Sequence, residues 1–353
     1  MGKNTNKRSF LTIISASSAI ISVTILIIFL AQGYIPEYNN GIKIKVTGIL
    51  SAISLPKSAS VIINDKLITT TDSSINLTPG DYQLKIVKEG YLPWNKKITI
   101  QKEMVYQADA TLFKTNPILT PFSDFEVTNV TPNIDFTKFV FTTAISSTSS
   151  KSSLYLVEID YLSQLLNKYQ SKFVITNPTT PTEKNINLTF SPNSKQVLIK
   201  PQNKNISYLI DLDSNKVNVG TTNLTFSIQK TNLSKLPAIY LATIATNPGD
   251  VQFSANSNMI FYSLSDKYYT YDIEKNINNL IGNKQDIKNP FWLPNSNNIV
   301  YQTKNQIKSI EFDGTNQNTI YNSDINIQTI IPDFDGKRII IKLNSKLYFL
   351  TIR

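Results

Sequence analysis

The chain has 353 residues, no cysteine, no histidine and a formal net charge of +10. That length accommodates two domains beyond an anchor, each with its own core. The missing residue types exclude disulfides, zinc sites, thiol nucleophiles and a lipid-modified cysteine, and no cofactor is expected.

Residues 1–9 are polar and basic and read as a cytoplasmic tail, followed by residues 10–31 without a single charge. As a helix those residues span about 33 Å, enough for a transmembrane signal anchor. Positive charge ahead of the segment predicts a cytoplasmic N-terminus, with everything after it outside. The rival reading is a cleaved signal peptide, but the best cleavage point, after Ala31, has bulky Phe29 where a small residue is needed. Ser15/Ala19 and Ser18/Ser22 are small-residue pairs at a spacing that either joins helices or is merely tolerated. Tyr34 and Tyr38 are placed for the outer interface, and residues 32–41 read as a linker.

Residues 42–113 read as a small β domain. Ile42, Ile44 and Val46 alternate as a first strand, and Pro79-Gly80 predicts a type II turn leading into the alternating Tyr82-Gln83-Leu84-Lys85-Ile86. Gly90 marks another turn before Ile98 and Ile100. The order Pro56-Lys57-Ser58-Ala59, Asp65-Lys66, Leu77-Thr78-Pro79-Gly80-Asp81-Tyr82 and Gly90-Tyr91 with Trp94 resembles the PEGA domain. The naming turn has lost its Glu and Gly, and Asp65-Lys66 lacks a Gly. The resemblance implies an extracytoplasmic β-sandwich with no chemistry of its own. Tyr91 and Trp94 form either a binding platform or part of the sandwich core.

Residues 118–353 carry a repeated phrase, clearest in Phe190–Asp213: a Ser-Pro-Asn turn, an apolar triplet, a polar stretch and a closing strand. The turn residue is Asp135, Asn193, Asn256, Asn295 or Asp335. The triplets are Phe139-Val140-Phe141, Val197-Leu198-Ile199, Ile260-Phe261-Tyr262, Ile299-Val300-Tyr301 and Ile339-Ile340-Ile341. A continuous apolar triplet suits a strand buried on both faces, and in the turn Pro fixes φ while Asn tolerates the left-handed conformation. The last three copies recur at steps of 39 and 40 residues, the period of a four-stranded propeller blade. The earlier steps, 58 and 63, hold insertions. The phrase resembles the repeat of TolB-type and WD-like propellers, with Asp335-Gly336-Lys337 the one full match. The expected fold is all-β apart from one transmembrane helix: a PEGA-like sandwich followed by a propeller of about five or six blades.

Within the insertions, Leu162, Leu165, Leu166 and Tyr169 predict a short helix inside Asp160–Phe173. Ser146–Ser153 reads as a hairpin tip and Asn177–Lys184 as a loop; Asn215–Asp250 has room for part of a degenerate blade. The final copy stops after its YFLTIR strand, so the last blade needs an outer strand from the segment Ile118–Val130.

Candidate chemistry is sparse. Asp211, Asp213 and Asn215 begin like a calcium loop, but Lys216 and Thr222 occupy the positions of the required Gly and Glu, so a blade-exit turn is the competing reading. Arg338 and Arg353, the two arginines beyond the segment 10–31, cannot make the arginine cluster of a sialidase. The sequence pairs no carboxylates for acid–base catalysis and has no phosphate loop. Catalytic, cofactor and metal residues are therefore expected to be none, and the binding residues stay open. The expected function is non-catalytic binding or scaffolding at the cell envelope. The expected partners are the membrane and a wall polymer, glycan or envelope protein, with no nucleic acid. The alternatives are a propeller hydrolase or lyase acting on envelope carbohydrate, and a sensor needing a cytoplasmic partner. Oligomeric state is open.

Overall fold

A computed structural model describes residues 5–31, 34–37, 43–122, 125–143, 152–160, 170–176, 186–202, 205–220, 251–254 and 258–353. Helix Thr5–Ala31 comes first. With unbranched and β-branched apolar side chains all round, it has no face to bury, and Ile13, Ile20, Ile27 and Phe29 are exposed. Two of its hydroxyls bond back to the helix: Ser15 Oγ donates to Thr12 O at 3.0 Å and Thr24 Oγ1 to Ile20 O at 2.8 Å. The chain divides into two compact units, Met1–Leu112 and Phe113–Arg353.

In the first unit, Tyr34–Glu37 pairs with Lys43–Val46 as a two-stranded ribbon. Two expectations are corrected here. The linker contains a strand, and the first strand of the sandwich is Gly48–Leu55 rather than the Ile42–Val46 run. Only glycine fits at Gly48, where a Cβ would lie 2.2 Å from Gln101 O. Gly48–Leu55 is central in a sheet between Ser73–Leu77 and Val105–Thr111, parallel to the latter. The opposing sheet orders Lys66–Thr70, Ser60–Ile63, Gly80–Val87 and Trp94–Ile100. Alternate residues meet in one core that includes Leu50, Val61, Leu84, Ile86, Trp94 and Ile98.

Turn chemistry explains the loops. Asn64 and Asp65 both have positive φ (48° and 63°), as a type I′ hairpin requires, so no glycine is needed there. Gly80 does not close the expected type II turn. Its φ of +153° starts a strand paired with Ile100, and the preceding loop is instead tied by Tyr82, whose hydroxyl donates to Thr78 O at 2.8 Å. Gly90 has open space around it and is required only by its φ of +78°.

The second unit is five four-stranded antiparallel sheets among the described residues. Sheet one runs Val127–Pro132, Lys138–Thr143, Ser153–Glu158, Ser171–Thr176; sheet two Ile186–Phe190, Gln196–Pro201, Ser207–Asp211, Val217–Gly220. Sheet three runs Val251–Phe253, Met259–Leu264, Lys267–Asp272, Ile277–Asn283; sheet four Lys288–Trp292, Asn298–Gln302, Gln306–Glu311, Asn318–Asn322. Sheet five runs Ile327–Pro332, Arg338–Leu343, Lys346–Thr351 and takes its fourth strand, Ile118–Pro121, from the other end of the unit. Each apolar triplet is the second strand of its sheet, and every triplet residue is at most 5% exposed. Neighbouring sheets share cores: one with two, three with four, and five with one. Successive meanders packed face to face, with the last joined to the first, make a β-propeller.

The short helix expected within Asp160–Phe173 is corrected at its end, because Ser171–Thr176 is the fourth strand of sheet one; residues 161–169 lie outside the described residues. The turn residue Asn256, the tip 146–151, the loop 177–184 and residues 221–250 also lie outside them, whereas Val217–Gly220 completes sheet two.

In the repeated turns the Asn or Asp acts through its side chain. Asn193 Oδ1 accepts from Lys195 N, Asp135 Oδ1 from Thr137 N and Asp335 Oδ1 from Lys337 N. The left-handed residue is the next one, Phe136, Ser194 or Gly336, and the Asn itself only at Asn295. Two positions before the Asn or Asp, Asn133 Oδ1, Ser191 Oγ and Asp333 Oδ1 accept the amide that opens the second strand, from Lys138, Gln196 and Arg338.

Candidate functional site

Each sheet is a meander of adjacent strands, so its connections lie at the two ends of the strands. Among the described residues, two clefts lie at such strand ends. One, of about 380 Å³, lies between sheets one and two beside the Asn/Asp turns. Its charged groups are three lysines (Lys138, Lys172, Lys195) and three acids (Asp135, Glu158, Asp213). They largely serve the fold: Lys138 Nζ meets Glu158 at 2.6 Å, Asp135 holds the Thr137 amide, and Asn133 Nδ2 donates across the sheets to Ser194 Oγ at 3.0 Å.

The other cleft, of about 420 Å³, opens at the opposite strand ends where sheets three, four and five meet. Lys288 and Asn289 come from the first strand of sheet four, Gln302 to Lys304 from its second strand and turn, and Asn326 to Gln328 from the entry to sheet five. The lining has two lysines and no carboxylate. Backbone bonds fix the walls: Ile327 N donates to Lys304 O at 3.1 Å and Ser323 N to Asn305 O at 2.8 Å. Gln328 Oε1 accepts Ser345 N at 3.0 Å. Gln302, 4% exposed, donates from Nε2 to Ile327 O at 3.1 Å, while its Oε1 has no donor among the described residues. Asn305 Oδ1, next to Lys304, is in the same position.

The candidates singled out in the sequence fall elsewhere. Trp94 is 3% exposed in the sandwich core with Tyr91 packed against that core, so Trp94 is not presented as a platform. Asp211 Oδ1 accepts both the amide and the hydroxyl of Ser214, which holds its carboxyl below the usual aspartate range; the calcium-like run is a hairpin turn. No group of three or more Asp or Glu suited to a metal occurs among the described residues. Arg338 lies over the Phe349 ring at 5.8 Å, and Arg353 donates to Gly336 O, Pro294 O and Asp335 O at 2.7, 3.1 and 2.8 Å. Both arginines are structural. Tyr34 donates its hydroxyl to the Glu103 carboxylate. No sequence motif pointed to Gln302, since a glutamine ending a strand looks like any other exit residue.

The fold of the first unit, with its parallel Gly48–Leu55/Val105–Thr111 pair and its Tyr82-closed loop, is matched by one family description. Residues 47–116 match the PEGA domain. The PEGA domain thus starts at the buried Thr47, beyond the two-stranded ribbon. No curated protein matches the chain. Among solved structures, the WD40 repeats of RRP9 align with 67% of this chain and 98% of theirs, at 4% identity and a TM-score of 0.35. TolB from Acinetobacter baumannii aligns with 80% of this chain at 14% identity and a TM-score of 0.23, and 64% of TolB is covered. The propeller assignment rests on the sheets themselves, and the PEGA domain precedes it in the chain.

Proposed function

We propose that this chain is a single-pass membrane protein that holds a PEGA domain and a β-propeller at the cell envelope, outside the cytoplasm, and acts there by binding rather than catalysis. The observation that carries this reading is the helix window Thr12–Phe29, with a mean hydropathy of 2.3 and none of it buried. A helix apolar on all sides satisfies its backbone internally and is stable in hydrocarbon, whereas in water it is an aggregation hazard. Lys3, Lys7 and Arg8 precede it, and the positive-inside rule puts that end in the cytoplasm. A PEGA domain after the helix agrees with an envelope setting. Binding is favoured over hydrolysis because no first strand of the five sheets carries an Asp or Glu, nor does the cleft between sheets four and five.

Protease added to intact cells with a permeable envelope removes everything after Gly33 and leaves the helix in the membrane. A protected propeller overturns the orientation. Recovery of a soluble chain starting just after Ala31 overturns the anchor.

A further inference from the structure

We propose that the cleft at the junction of sheets three, four and five binds an anionic, hydroxyl-bearing sugar unit, Lys288 and Lys304 meeting the acid group and Gln302 the hydroxyls. This rests on the binding reading above and gives it a site.

Three observations converge. A buried acceptor without a donor costs about 1–3 kcal/mol, and Gln302 Oε1 is such an acceptor. It cannot relieve itself by rotating, because its Nε2 is held by Ile327 O across the sheet junction. Oε1 has almost no accessible surface in the unliganded cleft, so a group that supplies O–H or N–H removes the deficit by displacing the side chains that cover it. Asn298 Oδ1 and Ser309 Oγ, also without a hydrogen-bond partner among the described residues, belong to the same sheet: Asn298 lies an even number of residues from Gln302, and Ser309 pairs with Val300 between them. Unmet polar atoms thus recur on the face turned toward sheet five.

Charge selects further. Lys288 and Lys304 are exposed at the rim, and no acid lines the cleft, so a neutral sugar leaves two cations unmatched and an anion answers them. Of the remaining lining, Asn289, Thr303, Asn326 and Gln328 supply amides and a hydroxyl, the groups that exchange hydrogen bonds with sugar hydroxyls, and Tyr268, Ile287 and Ile327 supply an aromatic and apolar wall. About 420 Å³ falls in the small-molecule range of about 300–1,000 Å³. The cleft between sheets one and two, by contrast, balances its lysines with acids and bridges its own walls.

The test uses the detergent-solubilised full chain with four probes: glucuronate, glucose 6-phosphate, glucose and inorganic phosphate. Titration calorimetry and saturation-transfer NMR read binding. Expected is saturable binding of one or both sugar acids, the better of the two identifying a carboxylate or a phosphate as the acid group. Glucose and inorganic phosphate each bind at least tenfold more weakly. Lys288→Ala with Lys304→Ala weakens the sugar acid at least tenfold. Gln302→Met, similar in size but without donor or acceptor, weakens it at least fivefold while the unliganded melting temperature stays within a few degrees. Absence of binding by both sugar acids overturns the proposal. So does binding indifferent to the lysine pair, or inorganic phosphate binding as tightly as glucose 6-phosphate with no effect of Gln302→Met. None of these outcomes depends on membrane orientation, so failure here and failure of the topology test are separate results.

Discussion

The backbone amide of Lys114 donates to the carbonyl of Ile352 at 2.8 Å, joining the two ends of the propeller unit. The pairing continues as Ile118 with Thr351 through Pro121 with Tyr348, and Phe122 adds its ring to Phe139, Phe141 and Phe349. Lys342 Nζ donates to Thr128 O, and Val127 N to Ser345 O, so sheet five is tied to sheet one at several levels.

A fragment of residues 113–353 is therefore expected to fold, and one of residues 126–353, which lacks Lys114 and the strand Ile118–Pro121, to aggregate or melt at least 5 °C lower. At this size each kcal/mol lost lowers the melting temperature by about 2–4 °C. Equal melting temperatures and solubility of the two fragments would reject the clasp.

Arg353 ties the turn of sheet four to that of sheet five through the carbonyls of Pro294, Asp335 and Gly336. Burial pulls its guanidinium down to about 10, still cationic at neutral pH. Arg353→Lys keeps the charge but not the planar fork, so it should lose most of what Arg353→Ala loses, about 1–3 kcal/mol by denaturant titration. A lysine variant as stable as the parent would mean that charge alone matters.

The pH response centres on Asp333. Burial, chiefly, and the neighbouring Asp335 push its carboxyl up to about 7, against the partial relief of the Arg338 amide and side chain; Arg353 lies nearby. Unfolded, the group titrates near about 3.9, so between there and 7 the folded state binds more protons and stability falls as pH rises. Asp335, lowered by its bonds to Lys337, works in the opposite sense, losing its contribution only as pH falls through its folded value. Asp333→Asn retains the acceptor for Arg338 and should flatten the decline between pH 5 and pH 7.5. Melting curves of fragment 113–353 decide it, and parallel declines in parent and variant would refute this assignment.

The proposed envelope setting gives the net charge a testable role. Removing Lys3, Lys7 and Arg8 from the +10 total leaves +7, nearly all lysine. Lysine contacts to anionic polymer are hydrated and screened, the Debye length falling from about 10 Å at 0.1 M to about 3 Å at 1 M. Fragment 39–353 is expected to sediment with purified envelope material at low salt and to be released by 0.5 M NaCl. Retention at 1 M would point to an apolar protein interface instead.

Much of the fold was legible because its physics is local in sequence. The triplet Val197-Leu198-Ile199 announces a strand buried on both faces, and the alternation from Tyr82 to Ile86 announces the strand Gly80–Val87, although the tie of Tyr82 to Thr78 that replaces the expected turn was not legible. The clasp followed from counting strands, since a last sheet with three strands must find a fourth. Conformational detail was not legible: at this turn Ser194 is left-handed while Asn193 accepts the Lys195 amide through its side chain. Ser171–Phe173 was misread as helix because Leu162 to Tyr169 matches a helical period whose extent nothing in the pattern limits. The cleft was invisible, since Gln302 and Ile327 meet only when two sheets pack, and an unmet acceptor leaves no trace in composition.

The clasp also sets an order of events during synthesis. Ile118–Pro121 is made early, but its partner Lys346–Thr351 appears some 230 residues later. At about 5–20 residues per second, that strand waits roughly 10 to 50 s with its ladder unfilled. Four sheets can form as the chain emerges, whereas the fifth is complete only once Lys346–Thr351 has emerged. A nascent propeller is thus an open arc with two adhesive ends, and any second nascent copy nearby offers the same two ends. Sparse spacing of translating ribosomes, or a chaperone on residues 113–122, would keep each ring closing on itself.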